Sequence, residues 1–349
     1  MTSPRSLPPS HHLPQRPEWL AKVVEEIIEP DLPIIDPHHH LWEREGNRYL
    51  LDDILEDTAS GHRIASTVFM ECRAMYRQGG DPELACLGET EFVNGIAAMS
   101  ASGSYGPTRV AEAIIGRVNL MLGAGARRIL EAQMAVAGGR FRGVRYITVS
   151  HPDPAARGAS TNQEPGILRD PRFRASFAEL APLGLTFDAW MYHTQLDELA
   201  DLARTYPATT IIVDHVGGPL GLGPYQGKRA EVMAEWTKSL KGLASCPNVY
   251  MKLGGLGMRF PGFDFHEREM PPTSKQLAEA WSPYLETCIS VFGASRCMFE
   301  SNFPVDKPTC SYQVLWNTFK RVAAKATAED KRALFSGTAA KVYRLQPAV

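Results

Sequence analysis

The chain has 349 residues, and its 37 basic and 39 acidic side chains give a formal net charge of -2 at pH 7. This balance excludes the strongly basic face typical of nucleic-acid-binding proteins, and no apolar run reaches the roughly 18 residues of a membrane span. The N-terminus lacks the apolar core of a signal peptide, and the six cysteines form no C-x-x-C pair. We therefore expect a soluble, cytoplasmic protein with free thiols.

Residues 1–32 are predicted to form an N-terminal arm ahead of a single domain at 33–349. The arm begins with the Pro-rich segment TSPRSLPPSHHLPQRP, which we expect to be partly disordered or to lie along the surface, with His11 and His12 solvated. The segment EWLAKVVEEIIEP then shows helical spacing and predicts a short helix that Pro30 ends. The arm could contact a neighbouring subunit, which leaves a homo-oligomer open.

Eight short apolar runs follow, and most precede an amphipathic helical stretch. They are PIIDPH, ASTVFMEC, AIIGRVNL, GVRYITV, LTFDAWMY, TIIVDHV, NVYMKL and RCMFESNF. This alternation predicts an α/β fold with a parallel sheet and right-handed crossovers. The count of eight favours closure into a (β/α)₈ TIM barrel, which takes about 250 residues and grows by insertions. An open sheet would more often carry a Gly-rich phosphate loop after its first strand, where this chain has histidines.

Polar side chains recur near the carboxyl ends of these runs, where the active sites of such barrels lie. The candidates are His38, His40, Glu71, Arg117, Arg145, Trp190, His193, His215, Lys252, Glu300 and Asn302. Buried parallel strands are otherwise nearly all apolar, so their convergence indicates a site. His38 and His40 lie two residues apart and point the same way on an extended segment, whereas His39 points oppositely.

Three of these candidates also have a structural interpretation. His193 could cap the helix that follows it. Arg145 could pair with a barrel carboxylate. Lys252 could extend its charged end outward to solvent.

Four motifs together resemble the amidohydrolase-related family. They are D-x-H-x-H-L-W at 36–42, D-H-x-G-x-P at 214–219, K-L-G-G-L at 252–256 and C-M-F-x-S-x-x-P at 297–304. The resemblance runs from about residue 33 to the C-terminus and is nearest to the branch of 2-pyrone-4,6-dicarboxylate lactonase and the sugar-acid lactonases. It implies a distorted barrel that hydrolyses small lactones, often carboxylate-bearing. His38, His40 and His215 match the family's histidines, and some members bind one divalent metal while others bind none.

The last motif departs from the family pattern, which usually reads Gly-Ser-Asp-Trp-Pro. Asn302 occupies the position of the aspartate that the resemblance makes a general base or a metal ligand. A neutral amide cannot accept a proton at working pH. Glu300 lies two residues earlier on the same strand face, and Asp306 lies just beyond the strand, so both are candidate replacements.

The first hypothesis is therefore a hydrolase of a small, carboxylate-bearing lactone or related cyclic ester. One divalent ion, zinc or manganese, could be held by His38, His40 and His193 or His215 and activate water. Without metal, the histidines could donate to the oxyanion while Glu300 acts as the base. The cationic candidates Arg117, Arg145 and Lys252 would bind the acidic substrate. Glu71 and Trp190 would contact the substrate beside them.

Two other classes of function stay open. A metal-dependent decarboxylase or lyase of an aromatic or unsaturated acid could use the same rim, because Trp190, Tyr192 and Phe303 would suit a planar ring. A lactone isomerase is closely related to the first hypothesis. A binding protein that lost its base at Asn302 is the third class, although the retention of so many ionisable groups at one rim argues against it.

Overall fold

The computed structural model describes residues 7–158 and 161–348 of the chain. Its strands are β1 (Ile34–His39), β2 (Trp42–Arg44), β3 (Asn47–Tyr49), β4 (Ile64–Met70), β5 (Arg109–Gly116), β6 (Phe141–Ile147), β7 (Thr186–Trp190), β8 (Ile211–Val213), β9 (Val249–Leu253) and β10 (Cys297–Phe299). The β2–β3 hairpin is antiparallel. The other eight strands form one sheet in the order β1-β4-β5-β6-β7-β8-β9-β10, and every neighbouring pair in that order is parallel.

Helices surround this sheet. They are α1 (Pro17–Leu20), α2 (Leu51–Thr58), α3 (Leu87–Ala101), α4 (Ala126–Val136), α5 (Pro171–Phe177), α6 (Leu196–Thr205), α7 (Arg229–Ala244), α8 (Ser274–Phe292), α9 (Tyr312–Val322), α10 (Ala328–Arg332) and α11 (Thr338–Tyr343), with a π-helical turn at Ala333–Gly337. Across 7–158 and 161–348, none of these helices combines the length and apolar character that a membrane crossing needs. The predicted (β/α)₈ barrel is confirmed, because each of the eight apolar runs overlaps one strand of the sheet.

The sheet closes between its first and last strands. A parallel bridge joins His39 to Phe303, the His40 amide donates to the Phe303 carbonyl (2.7 Å), and the Asn302 amide donates to the His38 carbonyl (2.9 Å). The strand-one histidines and the segment after β10 are therefore joined by the hydrogen bonds that close the barrel.

Two apolar layers follow from the alternation of side chains along each strand. The inner layer fills the barrel and includes Ile35, Val68, Ile115, Ile212 and Tyr343. The outer layer lies between strands and helices and is much larger. Because these residues bury the sheet on both faces, the charged side chains at the carboxyl ends lie above a packed floor.

The N-terminal arm differs from its prediction where the structure describes it. The helix covers only Pro17–Leu20. The Glu25 and Ile28 amides bind the side chains of Gln313 (3.4 Å) and Asn317 (2.9 Å) on α9 instead of helical carbonyls. His12 is half-buried, so the expectation that it is solvated was wrong, whereas His11 is exposed. Residues 1–6 of the predicted arm lie outside the described residues.

All six cysteines are free, as predicted, and five of them are buried.

Candidate active site

A cavity of about 560 Å³ opens at the carboxyl ends of the strands. Of the residues singled out from the sequence, six line it: His40, Glu71, Arg145, Trp190, His215 and Asn302. Residues 8–14 of the N-terminal arm and Trp42 of the hairpin also line it. The carboxyl-end rim thus brings together most of the candidates that the sequence placed there.

A single buried carboxylate links the histidines of two distant strands. Glu300 follows β10, and its two oxygens lie 2.7 Å from Nδ1 of His38 and 2.7 Å from Nδ1 of His215. The His215 backbone amide also donates to Glu300 (3.0 Å). Burial alone would raise the pKa of Glu300, but the two imidazoles hold it well below its usual range.

These contacts revise the predicted role of Glu300. Its side chain is fully buried and does not line the cavity, so Glu300 contacts the two imidazoles and not the substrate space. An ionised carboxylate only accepts hydrogen bonds, so the Nδ1 atoms of His38 and His215 carry protons. Each ring then has Nε2 as its unprotonated nitrogen, the arrangement that a base or a metal ligand needs.

A second set of acceptor atoms lies around His40. The Met70 carbonyl accepts from Nδ1 of His40 (2.9 Å), which leaves Nε2 unprotonated. This Nε2 lies 3.3 Å from Nε2 of His38 and 3.4 Å from Oδ1 of Asn302. Burial lowers the pKa of both histidines well below the usual range, with Lys252 adding to the effect at His38 and Arg145 at His40.

Asp306, the second candidate to replace the family's aspartate, holds Asn302 in this orientation. Nδ2 of Asn302 donates to Asp306 (2.9 Å), which turns its oxygen toward His40. The Gly257 amide donates to the other Asp306 oxygen (3.0 Å). Asp306 is 1% exposed, and burial raises its pKa to about 7.

Arg145 and Glu71 form a buried ion pair in the cavity wall. Nε of Arg145 lies 3.1 Å from Glu71, and Nη2 also donates to the Glu71 carbonyl. Nη1 of the same guanidinium lies 3.2 Å from Nε2 of His38. The ion pair that the sequence left open for Arg145 is present, and it places a fixed positive charge next to the histidines.

Lys252 does not reach the cavity. It is fully buried, with Nζ 2.7 Å from Asp188 and 3.1 Å from Asp214. Nζ also lies 3.3 Å from Nδ1 of His38, and Tyr343 donates to Asp188 (2.6 Å). The two carboxylates outweigh burial and raise the pKa of Lys252. Its expected contact with substrate is therefore replaced by a charged layer beneath the histidines.

Two further candidates lie outside the cluster. Arg117 follows the end of β5 and places its guanidinium 4.8 Å from the centre of the Tyr146 ring, in the outer layer. His193 begins a short turn before α6, and its Nδ1 accepts from the Leu220 amide (3.2 Å). Neither lines the cavity, so Arg117 does not bind substrate there and His193 does not join the other histidines.

His215 and Asn302 have strained backbones. Both have a φ of 55°, in the left-handed region that non-glycine residues seldom adopt. Such strain persists where the surrounding structure over-determines it, and it is concentrated at functional sites. These two positions are the ones at which the ends of β8 and β10 turn their side chains toward the cavity.

The sequence did not identify several residues of the site. Tyr343 was not among the candidate residues, and residues 8–14 were expected to be partly disordered or to lie along the surface. No periodicity or motif in the arm signals its position, because only the folded barrel provides the surface that it crosses. His12 and Trp42 form a stacked pair in this region.

The fold and the rim define a (β/α)₈ barrel enzyme with a histidine-rich site. Residues 35–345 match the family model described as Amidohydrolase. A Sinorhizobium fredii protein described as uncharacterized protein y4mH is 33% identical over 90% of this chain and 99% of its own length. A Burkholderia multivorans L-fucono-1,5-lactonase is 25% identical over 89% of this chain and 96% of its length.

A solved structure gives the same result for the fold. An amidohydrolase from Burkholderia multivorans, solved with bound zinc, has a TM-score of 0.69 and 23% identity over 90% of this chain and 99% of its own. The chain therefore belongs to the amidohydrolase family, as the motifs indicated, and it is an enzyme of the hydrolase type.

Proposed function

We propose that the protein hydrolyses a small lactone that carries a carboxylate. The observation that carries this proposal is the carboxylate–imidazole pair in which Glu300 holds Nδ1 of His215 at 2.7 Å. This pair leaves Nε2 of a cavity-lining histidine free to accept a proton. The lactonase-named relatives at modest identity support the same reaction.

In the proposed reaction, Nε2 of His215 takes a proton from a water molecule as its oxygen bonds to the lactone carbonyl carbon. The buried Glu300 stabilises the imidazolium that forms. The Arg145 guanidinium offers positive charge to the developing oxyanion. When the ring C–O bond breaks, His215 returns its proton to the departing oxygen, and the product is an open-chain hydroxy acid.

The residues around His40 fit one divalent cation. Nε2 of His40 lies 3.3 Å from Nε2 of His38 and 3.4 Å from Oδ1 of Asn302. Nη1 of Arg145 is a donor 3.2 Å from Nε2 of His38, whereas Nε2 of His40 and Oδ1 of Asn302 are two acceptors that repel unless a cation lies between them. Imidazole nitrogen with amide oxygen is a donor set that zinc or manganese accepts. Such an ion would supply Lewis-acid polarisation of the lactone carbonyl. His193 has no part in this proposed set.

The charges of the cavity support an acidic substrate. Four guanidinium groups line it, from Arg44, Arg73, Arg145 and Arg259. Among the described lining residues, Glu71 is the one carboxylate, and it is paired with Arg145. The surplus of positive charge would attract and orient a carboxylate.

The experiment is a panel of neutral and carboxylate-bearing lactones, followed with a pH indicator. We expect hydrolysis of at least one acidic lactone and a fall in kcat of about 100-fold or more for His215→Asn. Elemental analysis of protein purified without a metal-binding tag should give about one equivalent of zinc or manganese. Full activity of His215→Asn would contradict the assignment.

Adding aromatic and unsaturated acids to the panel separates the competing reactions. A decarboxylase would release CO₂ from an aromatic or unsaturated acid, and an isomerase would convert one lactone into another without acid release. Tyr192 and Phe303, which suggested an aromatic substrate, are fully buried and do not line the cavity. Of that aromatic set, only Trp190 faces the substrate space.

A further inference from the structure

The N-terminal arm crosses the mouth of the cavity and is fixed on both sides. The Pro8 carbonyl accepts from the Glu45 amide at the hairpin turn (2.9 Å). Nε2 of Gln15 donates to Oδ1 of Asn47 (3.2 Å). Nε1 of Trp19 then donates to the Arg268 carbonyl in the loop after β9 (3.1 Å). The arm thus bridges the β2–β3 hairpin and that loop.

This segment forms a wall of the substrate cavity. Residues 8–14 line the same space as His215 and Arg145, whereas the match to the family model begins at residue 35. The barrel that defines the family therefore does not include this wall. Selectivity that depends on the arm would belong to this chain and to relatives that share the arm.

His12 is the side chain of this wall that stacks on the hairpin. Its ring stacks on Trp42 with centroids 4.8 Å apart and planes 6° apart, and Trp42 lies 5.6 Å from the His40 ring. Trp42 is 1% exposed, so it acts as a platform and His12 presents the ring to the cavity. No hydrogen bond joins the His12 ring nitrogens to the described residues, although its backbone amide donates to Ser10 (3.3 Å).

The surroundings of His12 favour an anionic ligand. Burial and the nearby Arg44 lower the pKa of His12 to about 4, so its neutral ring offers one N–H donor. Arg73 and Arg259 line the same cavity; both are exposed, and neither has an ion pair with a described residue. Donors and positive charges without protein acceptors are what a carboxylate would satisfy.

We propose that His12 is a specificity-determining residue that donates a hydrogen bond to the carboxylate of the ligand in this cavity. For the reaction, the inference rests on the proposed lactone hydrolysis. For binding, it stands on the arm and the cavity alone, so the two can be tested separately.

The test compares full-length wild type with His12→Ala, His12→Phe and Glu18→Ala. Phenylalanine keeps a flat ring on Trp42 but has no donor, and Glu18 is an exposed residue of α1 that serves as the matched control. Steady-state kinetics on the best lactone of the panel gives KM and kcat. Calorimetric titration with glutarate, a dicarboxylate that binds metal weakly, measures affinity without requiring turnover.

We expect both His12 variants to raise KM and the glutarate Kd about tenfold, the effect of one lost hydrogen bond to a charged group. Their kcat and metal content should stay close to wild type, and Glu18→Ala should match wild type throughout. A His12→Phe protein with wild-type KM and glutarate Kd would overturn the proposal, because the ring would then only support the arm.

Two further results would also overturn it: wild-type protein that does not bind glutarate, and a Glu18→Ala protein that is weakened as much as the His12 variants. If none of the lactones is hydrolysed, the proposed function fails while the glutarate titration still decides the role of His12.

Discussion

Glu300 joins the two histidines of the site through one carboxylate. Each of its oxygens lies 2.7 Å from Nδ1 of a different imidazole, so a neutral replacement cannot compensate both rings. The family pattern that the motifs resemble places a carboxylate at position 302, after the last barrel strand (β10), and this chain has Asn302 there instead. The negative charge therefore lies two residues earlier, beneath the rings.

Replacing this carboxylate tests that arrangement at a single position. In Glu300→Gln, the amide oxygen can accept from one ring, while the NH₂ group opposes the Nδ1–H of the other. We expect kcat on the best lactone to fall about 100-fold or more, because His215 would lose its fixed tautomer and the charge that stabilises its protonated form. Steady-state kinetics measures this loss.

Glu279→Gln is the matched control, since Glu279 is exposed on α8. It should retain wild-type kinetics. A Glu300→Gln enzyme with unchanged kcat would show that the link between the two rings has no catalytic role.

Residue identity and spacing predicted part of this site. The H-x-H spacing placed His38 and His40 on one side and His39 on the other, where Nε2 of His39 lies 2.9 Å from Thr67. The direction of Arg117 could not be predicted in this way, because the strand ends at Gly116, before that residue. The burial of Lys252 depends on Asp188 and Asp214, which come from two other strands.

Among the connecting segments, the loop after β4 carries Glu71 and Arg73 to the cavity and is held by one helix residue. Glu89 on α3 accepts from the amides of Cys72 (3.0 Å) and Ala74 (2.8 Å). Burial and the nearby Glu71 raise the pKa of Glu89 to about 7. This helix thus fixes part of the cavity wall through a carboxyl group that burial makes hard to ionise.

The raised pKa makes stability depend on pH in a defined direction. Between the ordinary pKa of a glutamate and about 7, folded protein keeps a proton on Glu89 that the unfolded chain has released. The free energy of unfolding should therefore fall as pH rises through this interval, by roughly 1.4 kcal/mol for each unit of pKa difference, and level off above it.

Glu89→Gln keeps an acceptor oxygen for the two amides but cannot ionise. Between pH 5 and pH 8, we expect the free energy of unfolding of the wild type to fall relative to that of Glu89→Gln, as measured by urea unfolding at each pH. If the two proteins show parallel pH profiles, Glu89 does not carry this dependence.

Local pattern predicted most elements but not their limits. The run AIIGRVNL was predicted as the third strand, and β5 begins at Arg109 and ends at Gly116, so the strand is displaced toward the N-terminus. The predicted N-terminal helix is cut short by hydrogen bonds to Gln313 and Asn317. Partners that far along the chain leave no local signal in the sequence.

At the scale of the whole molecule, the last helix completes the floor of the site. Tyr343 of α11 lies in the inner layer and donates to Asp188, which also binds Lys252. The count of eight runs was enough to predict a closed barrel. It could not predict that a residue from the end of the fold would fill its interior, because that contact joins positions 155 residues apart.

Removing this hydroxyl should weaken the entire fold. Tyr343→Phe leaves the buried Asp188 without one of its donors, and a lost hydrogen bond to a charged group costs about 1.5–3 kcal/mol. We expect the free energy of unfolding to fall by that amount in urea titrations. Tyr105→Phe, at a partly exposed position in the loop before β5, should stay within about 0.5 kcal/mol of wild type. Equal losses in both variants would contradict the role of Tyr343.

The positions of the arm and of α11 have a consequence for synthesis in the cell. The segment at 8–14 leaves the ribosome before any barrel strand exists for it to cross, and Tyr343 emerges after all eight strands. A nascent chain therefore carries the segment that will form one wall of the cavity before its barrel strands, but it lacks the floor until α11 has emerged. Binding of a ligand to the finished site would then report that the chain has been made and folded at least through α11.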